Sequence, residues 1–151
     1  IVLGLNDALV ELTGALAGLT FALQNTKLIA LTGLITGIAA SMSMSGSEYL
    51  SKKTEDGEHP LKSAAFTGAA YIITVLLLIC PFLILASYKI ALITTLLLAI
   101  IIILVFTFFT SVVKNKPFGK KFLEMATISL GVAGISFLVG IILRYFFNIE
   151  I

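Results

Sequence analysis

Charged residues are scarce in this chain of 151 residues, at 12% against about 25% in a typical soluble domain. Hydrophobic residues make up 59% of the sequence, and its mean hydropathy is +1.13. This balance excludes a soluble globular domain. Tryptophan is absent and Cys80 is the only cysteine, so no disulfide forms within the chain. We expect an integral membrane protein in which Cys80 is a small buried hydrophobic residue.

Motifs of enzymes and of nucleic-acid binding are absent as well. The only histidine, His59, lies in a charged segment, so no serine–histidine pair can be proposed. The sequence contains no P-loop, HExxH motif, nucleophile elbow or dinucleotide fingerprint. It also lacks a basic patch interleaved with aromatic residues. We therefore expect no enzyme, no permanently bound cofactor and no nucleic-acid partner.

Five apolar segments are long enough to cross a membrane, whose hydrocarbon core of about 30 Å needs ~20 helical residues. Open strands cannot satisfy their backbone groups in lipid, so each segment is predicted to be a helix. The fold class is an all-α membrane protein with five transmembrane helices. Residues 1–151 are predicted to form a single domain, with spans at about 2–24, 28–51, 62–86, 90–113 and 120–146.

Basic residues are distributed unevenly on the two sides of the predicted spans. Lys27, Lys89 and Arg144 fall on one side. The other seven fall on the opposite side: Lys52, Lys53, Lys62, Lys114, Lys116, Lys120 and Lys121. Because cytoplasmic loops carry an excess of Lys and Arg, the second side is predicted to be cytoplasmic. The N-terminus is then cytoplasmic and the C-terminus lies outside.

Four acidic residues lie within the spans, and with this orientation all fall towards the cytoplasmic side. Asp7 and Glu11 are one helical turn apart in the first span, Glu48 ends the second and Glu124 begins the fifth. Insertion of an acid at the centre of a spanning helix costs about 2.5–3.5 kcal/mol of free energy, and such acids mark ion or proton paths. We expect Asp7 and Glu11 to face protein or a wet cavity. Snorkelling to the interface is the alternative for Glu48 or Glu124.

The second span carries Gly37, Ser41, Met44 and Glu48 on one helical face, with Met44 one turn deeper than Glu48. A thioether added to carboxylates shifts the preference from Mg²⁺ towards softer first-row metals. Fe²⁺ fits best, with Mn²⁺, Co²⁺ and Zn²⁺ as competitors. The alternative for Met44 is core packing. Ser41 is a weaker candidate ligand, and so is Met42, which points elsewhere and is expected to pack.

The charged connection after the second span could collect cations near the mouth of the path. Glu55, Glu58 and His59 are therefore weaker candidates. Their spacing does not match a structural metal site, and a solvated charged turn is the alternative.

Small residues are expected to allow close helix contacts in spans one, two and five. They are Gly14 and Gly18, Gly33 and Gly37, and Gly131 and Gly134. These three spans are predicted to pack around the path. Spans three and four are nearly pure Leu, Ile and Phe, and we expect them to form a lipid-facing wall. Pro60 is predicted near the start of the third helix and Pro81 inside it.

Two stretches together resemble the vacuolar iron transporter family. They are Val2-Leu-Gly-Leu-Asn-Asp-Ala-Leu-Val-Glu in the first span and Ser43-Met-Ser-Gly-Ser-Glu-Tyr-Leu-Ser at the end of the second. The resemblance implies a homodimer of five-helix subunits that moves Fe²⁺, and often Mn²⁺, out of the cytoplasm in exchange for protons. It places the path at the dimer interface, with the family's aspartate at Asp7, its methionine at Met44 and a glutamate at Glu48.

The sequence departs from the family pattern in two places. Ala8 stands where the family usually has glycine, and residues 52–61 are too short for the metal-binding domain that plant members insert between spans two and three. The first stretch, with an acid at Glu11, is most similar to that of prokaryotic members that carry an N-terminal ferritin-like (rubrerythrin-type) domain. A domain of this kind before Ile1 is therefore a further expected partner. We expect a prokaryotic cell membrane, or a vacuolar membrane if the source is eukaryotic.

The resulting hypothesis is a proton-coupled exporter of ferrous iron. Asp7, Glu11, Met44, Glu48 and Glu124 are its predicted metal and proton path. A membrane anchor and acceptor for a ferritin-like iron-oxidising domain is the second hypothesis, and a passive divalent-cation channel is the third.

Overall fold

The computed structural model of the chain describes residues 2–55, 59–115 and 117–147, and these residues form helices joined by short connections. The helices are α1 (Val2–Leu23), α2 (Thr26–Thr54), α3 (Pro60–Ile84), α4 (Tyr88–Lys114) and α5 (Phe118–Phe147). Each predicted span falls on one of them, so the all-α prediction is confirmed for the described residues. Residues 55–59 separate α2 from α3.

Four of the helices, α2 to α5, are long and apolar enough to cross a membrane. They identify an integral membrane protein. The sequence of α1, at 22 residues, is interrupted by Asn6, Asp7 and Glu11 and falls outside this group. The fifth span and the orientation in the membrane stay predictions.

Local sequence signals explain why the connections are tight. The side chain of Asn25 accepts hydrogen bonds from the backbone N–H groups of Lys27 and Leu28 at 3.0 and 3.2 Å, which caps the start of α2. Asn115 ends α4 in the left-handed conformation that asparagine tolerates better than most residues. Pro60 lies in the first turn of α3, as predicted, where its missing N–H costs nothing. Adjacent helices therefore reverse direction within a few residues.

The core lies mainly between α1 and α3. Leu9, Leu12 and Leu16 of α1 are buried against a cluster that includes Leu78 and Phe82 of α3. The α1 helix contacts all four other helices, most extensively α5, and the second large interface joins α2 to α3. The face of α1 that carries Asp7 and Glu11 is thus held in place by packing on its other sides.

The prediction that the third span belongs to a lipid-facing wall is wrong. Along α3 a continuous inward face is formed by Ala64, Thr67, Gly68, Tyr71, Thr74, Val75, Leu78, Ile79 and Phe82. Leu and Ile occupy both this face and the outer one, so their presence alone does not distinguish lipid from protein contact. The small and hydroxyl-bearing residues at helical spacing mark the inward side. Cys80 was predicted to be buried, but the structure leaves it exposed.

Glycines bring α1 and α5 into backbone contact. A Cβ atom on Gly140 would overlap the carbonyl oxygen of Gly18, and one on Gly14 would approach Val132 to 2.7 Å. The predicted role of small residues in helix packing is confirmed at these positions. Gly131 and Gly134 differ, because no heavy atom of a described neighbouring helix lies within 4 Å of their Cβ positions.

We predict that Gly140→Ala lowers the thermal stability of the detergent-solubilised protein. The new methyl group meets backbone rather than a flexible side chain, and overpacking of this kind costs about 1–3 kcal/mol. Gly119→Ala is the control on the same helix, because its Cβ has open space. Equal melting temperatures for the two variants would contradict the close α1–α5 contact.

Candidate functional site

Asp7 and Glu11 are exposed on one face of α1, although several of their neighbours along the helix are buried. Ala8, Leu9 and Leu12 are at most 1% exposed. The spacing of four residues puts both carboxylates on the same side of the helix, one turn apart. The structure therefore places the two strongest candidates together, on a surface that the chain itself leaves uncovered.

The hydroxyl of a buried tyrosine binds one of these carboxylates. Tyr71 of α3 is 1% exposed, and its hydroxyl donates a hydrogen bond of 2.7 Å to Oε2 of Glu11. Sequence reasoning missed this residue. Its signal was the presence of a tyrosine in the middle of an apolar span, because a buried tyrosine hydroxyl usually finds a hydrogen-bond partner.

Glu48 also receives a hydroxyl from α3. This glutamate is half-buried near the end of α2, and the Oγ of Ser63 donates a hydrogen bond to its Oε1. Two predicted path glutamates on different helices, Glu11 and Glu48, are thus bound by donors on the same inward side of α3. The sequence did not indicate Ser63, because nothing local relates it to Glu48.

The face of α2 that carries Ser41, Met44 and Glu48 packs largely against α3. Ser41 is buried and donates a hydrogen bond of 3.1 Å to the carbonyl oxygen of Gly68. The neighbouring Ser45 donates one of the same length to the carbonyl of Ala64. Met44 is half-buried and packs against the core, whereas Met42 is 70% exposed. Ser41 therefore has a structural partner, and the metal-binding role of Met44 stays a prediction.

The remaining candidates lie apart from this face. Glu124 is exposed at the start of α5, in a shallow pocket that it shares with Lys120 and Lys121. Glu55 is exposed and forms an ion pair of 3.7 Å with Lys52. His59 is exposed in a separate pocket.

Glu58 lies outside the described residues. Glu55 and His59 are on the surface at the ends of their helices, as a solvated charged turn would place them.

No group of three or more His, Cys, Asp or Glu side chains in the described ranges is arranged to hold a metal ion. The structure brings Asp7 and Glu11 together but does not gather the predicted acids into one centre within a single chain. Two carboxylates are too few for a cation that takes six oxygen ligands. The remaining ligands of such a cation would have to come from water or from another chain.

A groove continues from the acidic face along α1. It is lined by Ala15, Gly18 and Ala22 of α1, by Thr36 of α2, and by Ser136 among the residues of α5. Its surface is mostly apolar, and the small side chains on α1 make it accessible to another helix. The acids and the groove together form the uncovered side of α1.

Residues 1–58 match the model of the VIT family. The match covers fewer than half of the 151 residues. The predicted resemblance to the vacuolar iron transporter family is confirmed, and the family indicates transport of metal ions across a membrane rather than an enzyme activity. The matched residues include Asp7, Glu11, Met44 and Glu48; Tyr71 and Glu124 lie beyond them. The comparison with curated proteins gives no match.

Two substitutions on α2 are predicted to separate structure from metal preference. Ser41→Ala removes a helix–helix hydrogen bond, worth about 0.6 kcal/mol on average in a membrane protein, and should lower the melting temperature slightly with unchanged metal affinity.

Met44→Leu keeps the side-chain volume but removes the sulfur, so it should reduce the preference for Fe²⁺ over Mg²⁺. Anaerobic metal titrations and thermal denaturation check both. An unchanged preference in Met44→Leu would remove Met44 from the candidate site.

Proposed function

We propose that the protein is a proton-coupled antiporter that exports ferrous iron from the cytoplasm, with Mn²⁺ as a second cargo. The observation that carries this proposal is the pair of exposed carboxylates on α1, within the segment that matches the VIT family. Intramembrane acids that do not face lipid mark ion and proton paths, and Asp7 and Glu11 lie on a helix whose other sides are packed in protein.

A homodimer would complete the site. Carboxylates exposed on the chain surface at membrane depth are costly in lipid, so protein or water must cover them. A second copy that packs its α1 helix along the groove would bring Asp7 and Glu11 of both chains to one axis, as four carboxylates. The small side chains of Ala15 and Ala22 support such a close approach.

The proposed ligands account for the choice of cargo. Asp7 and Glu11 provide hard oxygen ligands, which alone would suit Mg²⁺ or Ca²⁺. Addition of the Met44 thioether favours Fe²⁺ and the later first-row metals, so Co²⁺ and Zn²⁺ are expected competitors. Glu48 and Glu124 would line the cytoplasmic mouth of the path in the predicted orientation.

Coupling to protons follows from the chemistry of carboxylates. A divalent cation binds their deprotonated form and releases the protons that they carry. Carboxylates that face one another in a medium of low dielectric constant repel, so the site favours either a cation or protons over an empty, fully charged state. The metal ion and the protons need the same oxygen atoms, so each can bind only after the other has left. If the site carries the metal ion outwards and protons inwards, the result is exchange.

We predict that Asp7→Asn abolishes iron transport and leaves the protein folded, because the amide binds Fe²⁺ weakly and exchanges no proton. The measurement is anaerobic Fe²⁺ uptake into proteoliposomes, with and without an acidic interior. Glu55→Gln is the control, since it removes an exposed acid at the end of α2.

The same assay distinguishes the proposal from its rivals. An antiporter takes up iron faster with the proton gradient, a channel ignores the gradient, and an anchor for a ferritin-like domain shows no uptake. Wild-type rates in Asp7→Asn would overturn the role of this residue.

We predict that two chains meet along α1. In a Cys80→Ser background, Ala15→Cys should form a disulfide-linked dimer in native membranes under mild oxidation, because the two α1 helices approach closely there. Ile101→Cys is the control, since Ile101 is 57% exposed on α4, away from the groove. Crosslinking that is equal at the two positions, or absent at residue 15, would contradict the proposed interface.

A further inference from the structure

We infer that Tyr71 is a positioning residue, which holds Glu11 docked on α3 while the other oxygen of that carboxylate stays available for cargo. This inference rests on the proposed function for its consequence in transport. It begins from the 2.7 Å hydrogen bond between the Tyr71 hydroxyl and Oε2 of Glu11, which joins α3 to α1.

The tyrosine is a rigid support. Its ring belongs to the buried core cluster and is 1% exposed, and a tyrosine side chain has only two rotatable bonds before its hydroxyl. Glu11, in contrast, is an exposed residue with a longer, flexible side chain. The phenol therefore fixes where the carboxylate lies, since the tyrosine has no room to follow it.

The chemistry of the phenol suits a ligand that exchanges its proton. A tyrosine hydroxyl can donate a hydrogen bond to an ionised carboxylate and can accept one from a carboxylic acid. The contact between Tyr71 and Glu11 therefore persists in both the metal-loaded and the protonated forms. A lysine or arginine in this place would hold only the charged form.

Asp7 provides the contrast on the same face. Among the residues that the structure describes, no hydrogen bond or ion pair reaches its carboxylate, and the residue is exposed. The candidate site thus has one anchored acid and one free acid, a turn apart. Glu11 is assigned as the fixed ligand and Asp7 as the one that reorients around the cargo.

The first test is Tyr71→Phe, which keeps the ring in the core and removes only the hydroxyl. The expected result is an about tenfold weaker Kd for Mn²⁺ in the detergent-solubilised protein, the size expected for the loss of a hydrogen bond to a charged group. In proteoliposomes the KM for Fe²⁺ should rise by a similar factor, with little change in maximal rate. Tyr88→Phe is the control, because Tyr88 is half-buried at the start of α4.

A second measurement separates positioning from packing. Glu11→Ala leaves the buried phenol without its acceptor, which is unfavourable, so adding Tyr71→Phe in that background should raise the melting temperature. The same Tyr71→Phe change in the wild-type background should lower it, and it should weaken Mn²⁺ binding only when Glu11 is present. A merely structural tyrosine would lower the melting temperature in both backgrounds and leave the Kd of the folded protein unchanged.

These outcomes are independent of whether the protein transports iron. Additive effects in the two backgrounds, or an unchanged Kd in Tyr71→Phe, would overturn the inference even if Fe²⁺ uptake is coupled to protons. Conversely, a non-additive cycle together with no Fe²⁺ uptake by the wild-type protein would retain the positioning role and overturn the proposed function.

Discussion

The position of two carboxylates on α1 is the constraint on which the rest of the arrangement depends. An ionised acid is costly against hydrocarbon, so α1, if it crosses the membrane as predicted, must present Asp7 and Glu11 to protein or water. The other helices pack against the remaining sides of α1, which fixes the direction in which the two acids point. Gly18 and Gly140 allow backbone contact with α5, and Leu12 and Leu16 are buried in the core. The side of α1 that carries the acids and the groove is left uncovered, and it is where a second copy is proposed to bind.

The α3 helix turns this packing into a defined site. Its hydroxyl groups bind carboxylates on two other helices, through Tyr71 for Glu11 and Ser63 for Glu48. Hydroxyls are neutral, so they orient an acid without the competing charge that a lysine or arginine would bring. In the proposed site, an approaching cation would therefore meet oriented oxygen ligands whose negative charge is not already paired.

Much of the fold could be predicted from the sequence because hydropathy and turn residues are local signals. The helices follow the apolar segments, and Asn25 and Pro60 mark boundaries through their own backbone chemistry. The acids of α1 were also identifiable, since charge within a span needs an explanation. Partners were not predictable. Ser41 donates to a backbone carbonyl on α3, and Leu and Ile occur on the inward side of α3 as well as on its outer side.

In the proposed antiporter, the pairing of an anchored Glu11 with an unanchored Asp7 would also serve the exchange of cation and protons. If both acids were held by hydroxyl donors, a dimer would present a preformed set of ligands that binds a cation tightly and releases it slowly. If neither were held, the site would adapt to many cations and lose discrimination. Transport needs binding that is favourable enough to capture the ion and weak enough to let it leave. In the proposed site, one carboxylate held by Tyr71 and one without such a donor in each chain would satisfy both conditions.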